Sequence, residues 1–258
     1  MNSISAEKQR EYIETFPKAE ECQIWIDFDG TITKKDTLDE LILKYSMDDS
    51  WELIEKRWQA GLIGSRQCLE EEFALLRIPK EELHKSIENI EVDAGIFELL
   101  NIIRTKSIPI AIVSDGVDLF INQILDNNGI RDITIRSNTA EYNEPYLKLI
   151  CPNSNNNCAV DSAHCKCLSM DSLKVPGKKS IYIGDGLSDL CAAKHSDFVF
   201  AKGTLAKNLT TEGKLFFEFK NLTHIVNFII KKWEVYITLF ICHDFFTRIM
   251  PVFIDIID

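Results

Sequence analysis

Three short apolar runs that end in the same two residues limit what this chain can become. "QIWIDFDG" begins at Gln23, "IPIAIVSDG" at Ile108 and "KSIYIGDG" at Lys179. Short apolar runs closed by turn-forming residues suit strands buried on both faces, as in a parallel sheet. Two further runs, "DITIRSN" from Asp132 and "DFVFAKG" from Asp197, read the same way. Helical patterns separate most of them. "AGIFELLNIIRTK" precedes the second run and "VDLFINQILDNNGI" follows it, with Gly129 placed to end that helix. The alternation predicts an α/β fold: a doubly wound, Rossmann-like parallel sheet with ligands at the carboxyl ends of its strands. Three Asp-Gly tips would then converge.

Residues 37–92 lack any strand pattern. "DTLDELILKYS", "DSWELIEKRWQAG", "SRQCLEEEFALLRI" and "PKEELHKSIENI" are amphipathic helical segments, with Pro79 suited to a first helical position. They read as a helical cap inserted into a core domain formed by residues 1–36 and 93–232. A helical hairpin merely packed on the sheet is the other arrangement the pattern allows. Residues 233–258 form a strongly apolar tail interrupted by His243, Asp244 and Arg248, short of the roughly 20 uninterrupted residues a membrane span needs. An interfacial helix, a homodimer contact and a disordered end all remain open for it.

In extended backbone, residues two apart share a side, so Asp27 and Asp29 face the same way. Two anions that close raise each other's pKa unless a cation intervenes. With Ser114-Asp115-Gly116 and Gly184-Asp185-Gly186-Leu187-Ser188-Asp189 on other strand ends, solvated turn residues become a poor explanation. Clustered hard oxygens suit Mg²⁺, which takes one or two carboxylates, waters and phosphate oxygens. A carboxylate beside Mg²⁺ can attack phosphorus, a second can move the proton, and Gly30 lets backbone amides approach phosphoryl oxygens.

"DFDGTIT", "IVSDG" and "IYIGDGLSDL", in that order, resemble motifs of the haloacid dehalogenase superfamily of phosphatases, over residues from about 22 to 230. The resemblance implies a Mg²⁺-dependent phosphomonoesterase working through an aspartyl phosphate. Asp27 would be the nucleophile and Asp29 the general acid/base. Gly30, Thr31, Ser114, Asp115 and Gly116 would meet the phosphoryl group. Asp185 would ligate Mg²⁺ with Asp27 and the backbone carbonyl of Asp29, and Asp189 would support the metal shell. A lysine must neutralise the aspartyl phosphate. Lys178 and Lys179 fall at the amino end of a strand. Lys166, inside a cysteine-rich segment, matches relatives in which such a loop delivers this lysine, with Lys174 as the alternative.

The helical segment is similar in pattern to caps of phosphoserine phosphatases, with Asp36 where those place an ammonium-binding glutamate. However, Glu70, Glu71 and Glu72 stand where an arginine would grip the substrate carboxylate, and an acidic run repels one. The cysteine-rich insert and "VFAKGTLA" resemble instead the 2-hydroxy-3-keto-5-methylthiopentenyl-1-phosphate phosphatases, ahead of the phosphoethanolamine/phosphocholine phosphatases. Cys151, Cys158, His164, Cys165 and Cys167 offer soft ligands, but C-x6-C-x6-C-x-C lacks the paired knuckles of structural zinc. A phosphotransferase and a non-catalytic phosphate-binding module are the rival classes. All the required carboxylates are present, which argues against the latter.

The partner expected is a small phosphorylated metabolite. A formal net charge of -11 over 258 residues, with no basic run beyond two residues, speaks against nucleic acid and anionic membrane. The polar N-terminus has no apolar stretch of the signal-peptide kind, so the expected location is cytoplasmic, with thiols reduced.

Overall fold

The computed structural model describes residues 6–158 and 160–233. The apolar segment from 234 onward, with the roles considered for it, lies outside the described residues. Trp233 does not: it ends the last helix, is buried, and donates its indole N–H to the Pro17 carbonyl, so the fold extends one residue further than expected.

Seven strands make one sheet: β1 (Cys22–Ile26), β2 (Ile110–Val117), β3 (Thr134–Asn143), β4 (Tyr146–Ile150), β5 (Lys179–Gly184), β6 (Phe198–Ala201) and β7 (Phe217–Glu218), ordered β4-β3-β2-β1-β5-β6-β7. All pairs are parallel except β3 with β4. The five expected strands are the parallel core of this sheet. β4 and β7 were not expected, nor was the extension of β3 to Asn143. That extension alternates half-exposed and exposed residues, so it lacks the continuous apolar run by which a buried strand is read.

Eleven helices are described: α1 (Ala6–Glu14), α2 (Thr37–Tyr45), α3 (Trp51–Gln59), α4 (Ser65–Leu75), α5 (Lys80–Leu83), α6 (Gly95–Thr105), α7 (Asp118–Asn127), α8 (Lys166–Leu173), α9 (Leu190–Lys194), α10 (Gly203–Thr211) and α11 (Leu222–Trp233). α2 to α5 occupy the stretch between β1 and β2 with no strand of the sheet among them. The fourth expected helix is short, followed by a 3-10 turn over Lys85–Ile87, and Pro79 stands just before its first residue rather than on it. Gly129 ends α7 in the left-handed region at φ 66°, with the Ile130 amide reaching back to the Leu125 carbonyl at 2.9 Å. That 6→1 bond is a Schellman closure, which a residue with a Cβ adopts at a cost.

β1 is central. Its side chains are all buried, and it pairs with β2 on one side and β5 on the other. The strand order reverses at β1, with β2 to β4 laid down on one side and β5 to β7 on the other, which opens a crevice at its carboxyl end. The tips of β1, β2 and β5 are therefore neighbours in space although the sequence separates them widely. Phe28, Ile32 and Val117 anchor these tips in the main apolar core.

Candidate active site

β1 stops at Ile26, and the next residues fold back on themselves. The amides of Thr31, Ile32 and Thr33 all converge on the Phe28 carbonyl at 3.2, 2.8 and 3.0 Å. Phe28 is fully buried, so Asp27 and Asp29 on either side of it are turned to the crevice. Gly30 completes the turn at φ 70°, and a Cβ there would collide with the Asp185 carboxylate. The glycine is needed for that close approach between two tips. Its amide donates to Thr33 Oγ1 at 3.1 Å, which closes the turn.

The tips are tied together by side chains. Thr31 Oγ1 donates to Asp185 Oδ1 at 2.6 Å, linking the first loop to the third. Gly116 on the second tip leaves room for Asp29, whose Oδ2 would lie 2.6 Å from a Cβ at that position. Asp29 Oδ1 accepts from the Thr37 amide at 2.9 Å, so the first turn of α2 holds it. Ser114 is buried and its Oγ accepts from the Gly116 amide at 2.9 Å, which shapes the second tip.

Lys166 is the cation of this site. It opens α8 with its side chain 3% exposed, and its Nζ reaches Asp27 Oδ1 at 2.8 Å and Asp189 Oδ1 at 2.5 Å. Burial works against its charge, but the carboxylates of Asp189, Asp27 and Asp115 outweigh it and raise the pKa. Lys174 lies elsewhere, beside Gln23, Lys178 and His195. Lys178 bonds the Glu20 carbonyl and Lys179 pairs with Asp197, both at the amino side of β5.

Asp189 is fully buried, and donors surround it. Besides Lys166, it accepts from the Tyr182 hydroxyl at 2.5 Å and from the amides of Asp185 and Gly186 at 2.8 and 2.9 Å. It thus positions both Lys166 and the third tip. Asp115 also has both carboxylate oxygens engaged, by Ser65 Oγ at 3.0 Å and by the His164 amide at 3.0 Å. An anion so placed would meet a phosphoryl group through its backbone, because two negative groups repel.

The acid–base character of the pair at the first tip follows from these contacts. Burial and repulsion from Asp189 push Asp27 well above the usual carboxylate range, with Lys166 pulling back. Burial first, and then Asp36, raise Asp29 to about 7. Asp36 itself caps α2 by accepting from the amides of Leu38 and Asp39 at 2.8 and 3.2 Å.

Four participants were not anticipated: Ser65, Tyr182, Ser188 and Lys202, the last of which lines the cavity at the tips. Ser65 opens α4 and joins Asp115 to the amide of Ala163, while Arg66 pairs with Asp161. The cysteine-rich segment therefore docks the helical insertion onto the second tip. Its thiols are free, and among the described residues they gather in no group of metal-ligand spacing. Tyr182 sits inside an apolar strand and reads as core by pattern, and Ser188 lies 3.4 Å from Lys166 Nζ. Ser188 and Lys202 stand inside motifs read for other residues, whereas Ser65 and Tyr182 carry no signal of their own.

The sequence family described as Putative Phosphatase matches residues 22–233. The chain belongs to it. A 2-hydroxy-3-keto-5-methylthiopentenyl-1-phosphate phosphatase of Lysinibacillus sphaericus is 30% identical over 213 residues, 79% of this chain and 92% of that one. Another of that name, from Bacillus pumilus, is 29% identical over 182 residues, 69% and 78% of the two chains. Among solved structures, a substrate-bound phosphoserine phosphatase superposes with a TM-score of 0.63 at 21% identity, covering 83% of this chain and all but 1% of that one. A haloacid dehalogenase family hydrolase of Salmonella enterica serovar Typhi gives 0.66 at 19% identity, covering 88% and 81%. These two share the fold.

In this phosphatase the tips open into a cavity of about 860 Å³ between the sheet and the helical insertion. Asp27, Asp29, Ser114 and Asp185 line its floor, and Trp58, Leu69 and Phe73 of the insertion line its roof. Asp27, Asp185 and Asp189 bring carboxylate oxygens within 4.8 Å of one another. This all-oxygen set fits a hard divalent cation. Since Asp189 is already held by four donors, the two carboxylates at hand for such an ion are Asp27 and Asp185.

Proposed function

We propose that the phosphatase hydrolyses a small phosphorylated metabolite, 2-hydroxy-3-keto-5-methylthiopentenyl 1-phosphate, through an aspartyl phosphate on Asp27. The observation that carries this reading is the trio at the crevice floor: Asp27 and Asp29 side by side, with Lys166 Nζ 2.8 Å from Asp27. Asp27 is the nucleophile. Asp29, held by Thr37 and raised to about 7, protonates the departing oxygen and later takes a proton from water. Lys166 balances the charge of the nucleophile and of the acyl phosphate. Ser114 and the backbone of the Asp115–Gly116 tip, with Gly30 and Thr31, surround the phosphoryl oxygens.

Mg²⁺, held by Asp27, Asp185 and the backbone carbonyl of Asp29, would neutralise phosphoryl charge so that an anionic nucleophile can approach. Asp189 keeps Lys166 and the Asp185 tip in place. The insertion, residues 37–92, acts as the cap and residues 1–36 with 93–232 as the core.

The roof supports the substrate choice. Trp58, Leu69 and Phe73, with Phe120 of α7 below them, suit an alkyl thioether, and no arginine lines the cavity among the described residues. A phosphoserine carboxylate would find no bidentate guanidinium there; the cations lining the cavity are Lys34, Lys35 and Lys202. The relatives' names point the same way. The free thiols agree with a reducing, cytoplasmic setting. No helix of the described residues is long and apolar enough to cross a membrane.

The test is a panel of phosphomonoesters with Mg²⁺, containing the enol phosphate, phosphoserine, phosphoethanolamine and phosphocholine. The enol phosphate should give the highest kcat/KM. A preference for phosphoserine would refute the substrate assignment, and an Asp27→Asn variant that kept near-full turnover would refute the mechanism.

A further inference from the structure

Within the helical insertion lies a second group of ligating side chains that the phosphoryl chemistry does not use. Glu55 comes from α3, and Cys68 and Glu72 from α4. The last two are four residues apart and so share one face of their helix. A carboxylate oxygen from each glutamate and the Cys68 sulfur all fall within 4.8 Å of one another. Glu72 is 2% exposed, and its Oε1 has no hydrogen-bond partner. A buried carboxylate oxygen without a donor costs on the order of 1–3 kcal/mol, and the groups that meet the Glu72 side chain are the other two members of the cluster, Cys68 and Glu55.

Nothing cationic on the neighbouring elements meets it. α2 brings Asp39, another acid. From α3 the amide of Gln59 donates to Glu55 Oε2 at 3.0 Å, and Arg57 turns away to Glu71 at 2.8 Å. From α4 the remaining neighbours in the wall are Leu69 and Phe73. Among the described residues no lysine or arginine pairs with Glu55 or Glu72. Burial, with Glu55 as the next contributor, raises Glu72 to about 8.

We propose that Glu55, Cys68 and Glu72 bind a zinc ion in the cap, distinct from the Mg²⁺ site of the core. The donor set selects the metal. Magnesium and calcium take oxygen alone, whereas a thiolate with carboxylates suits a borderline-soft ion such as zinc. On binding, the Cys68 thiol and any protonated carboxylate of the set release their protons to water, and the thiolate and carboxylate oxygens coordinate the ion. Three protein ligands leave a fourth tetrahedral position, the arrangement of an open site. All three residues line the cavity. The ion would also clamp α3 to α4.

The test uses the full-length protein stripped by a chelator and titrated with Co²⁺ as a coloured substitute for zinc. One equivalent should produce a thiolate-to-cobalt charge-transfer band, which Zn²⁺ then removes. Cys68→Ser should abolish the band. Glu72→Gln and Glu55→Gln should weaken affinity by at least about tenfold. Asp27→Asn should leave the band intact, which separates this site from the core. Glu55 lies at the half-buried edge, so its variant still reports if a change at Cys68 impairs folding. Absence of a band in the unmodified protein would overturn the proposal and leave Glu72 as a protonated acid. A band that survives Cys68→Ser would overturn it too, placing the metal on other thiols.

Discussion

The floor and the roof of the cavity treat negative charge in opposite ways. On the floor, each buried carboxylate has a partner: Lys166 for Asp27, four donors for Asp189, Thr31 for Asp185, and Thr37 for Asp29. In the roof, Glu72 is buried like Asp27 and Asp189, and one of its oxygens has no hydrogen-bond partner. The contrast separates two kinds of site. A floor with its charges balanced before substrate arrives is rigid and ready for chemistry. The roof leaves a ligating oxygen unanswered beside two further ligating side chains.

This comparison predicts that floor substitutions act on turnover and roof substitutions on binding. Asp27→Asn removes the proposed nucleophile and should lower kcat by at least about a thousandfold, read by steady-state kinetics on the enol phosphate. Asp29→Asn keeps the size and loses the proton transfer, which should cost about 10²- to 10⁴-fold in kcat. Lys166→Met should do more than slow the reaction. It leaves Asp27 and Asp189 without their shared cation, so denaturant unfolding should show a loss of about 3 kcal/mol or more. If Lys166→Met matched the parent in stability, the charge balance drawn for the floor would be wrong.

In the roof, Trp58→Ala should raise KM by about tenfold or less and change kcat little, since the indole contributes apolar contact equally before and during reaction. A large fall in kcat would break the division between floor and roof. The smallest effect concerns His164, which sits between the two regions. Burial, with Lys166 next, lowers its pKa from 6.5 to about 3. The unfolded chain therefore takes up a proton below about pH 6.5 that the folded chain refuses until about pH 3. Stability from this residue is present above pH 6.5 and is lost as pH falls toward 3. His164→Gln should make the decline of the urea midpoint over that interval shallower than in the parent.

How much of this was legible beforehand varies with the kind of contact. The five parallel strands were readable because a strand buried on both faces must be apolar along its length. β4 was not, because an edge hairpin carries no such run and alternates with solvent. Asp27, Asp29, Ser114 and Asp185 stood out as polar residues at the ends of apolar runs. Ser65 and Tyr182 did not, since one opens an ordinary helix and the other lies within an apolar strand. The acidic run at Glu70 to Glu72 carried one meaning in sequence and three in space. Glu70 is exposed, Glu71 pairs with Arg57, and Glu72 is buried in the roof.

Local pattern alone settled that this chain would build a parallel sheet with acidic, glycine-bearing tips, because hydrophobic periodicity and turn chemistry act over a few residues. It settled too that a helical stretch would interrupt the sheet after its first strand. Which lysine faces Asp27, why Asp189 is buried, and what Glu72 is left without were decided by the packed chain. Those depend on β1 lying between β2 and β5, and on α8 and α4 folding back across them, which are contacts between residues far apart in sequence.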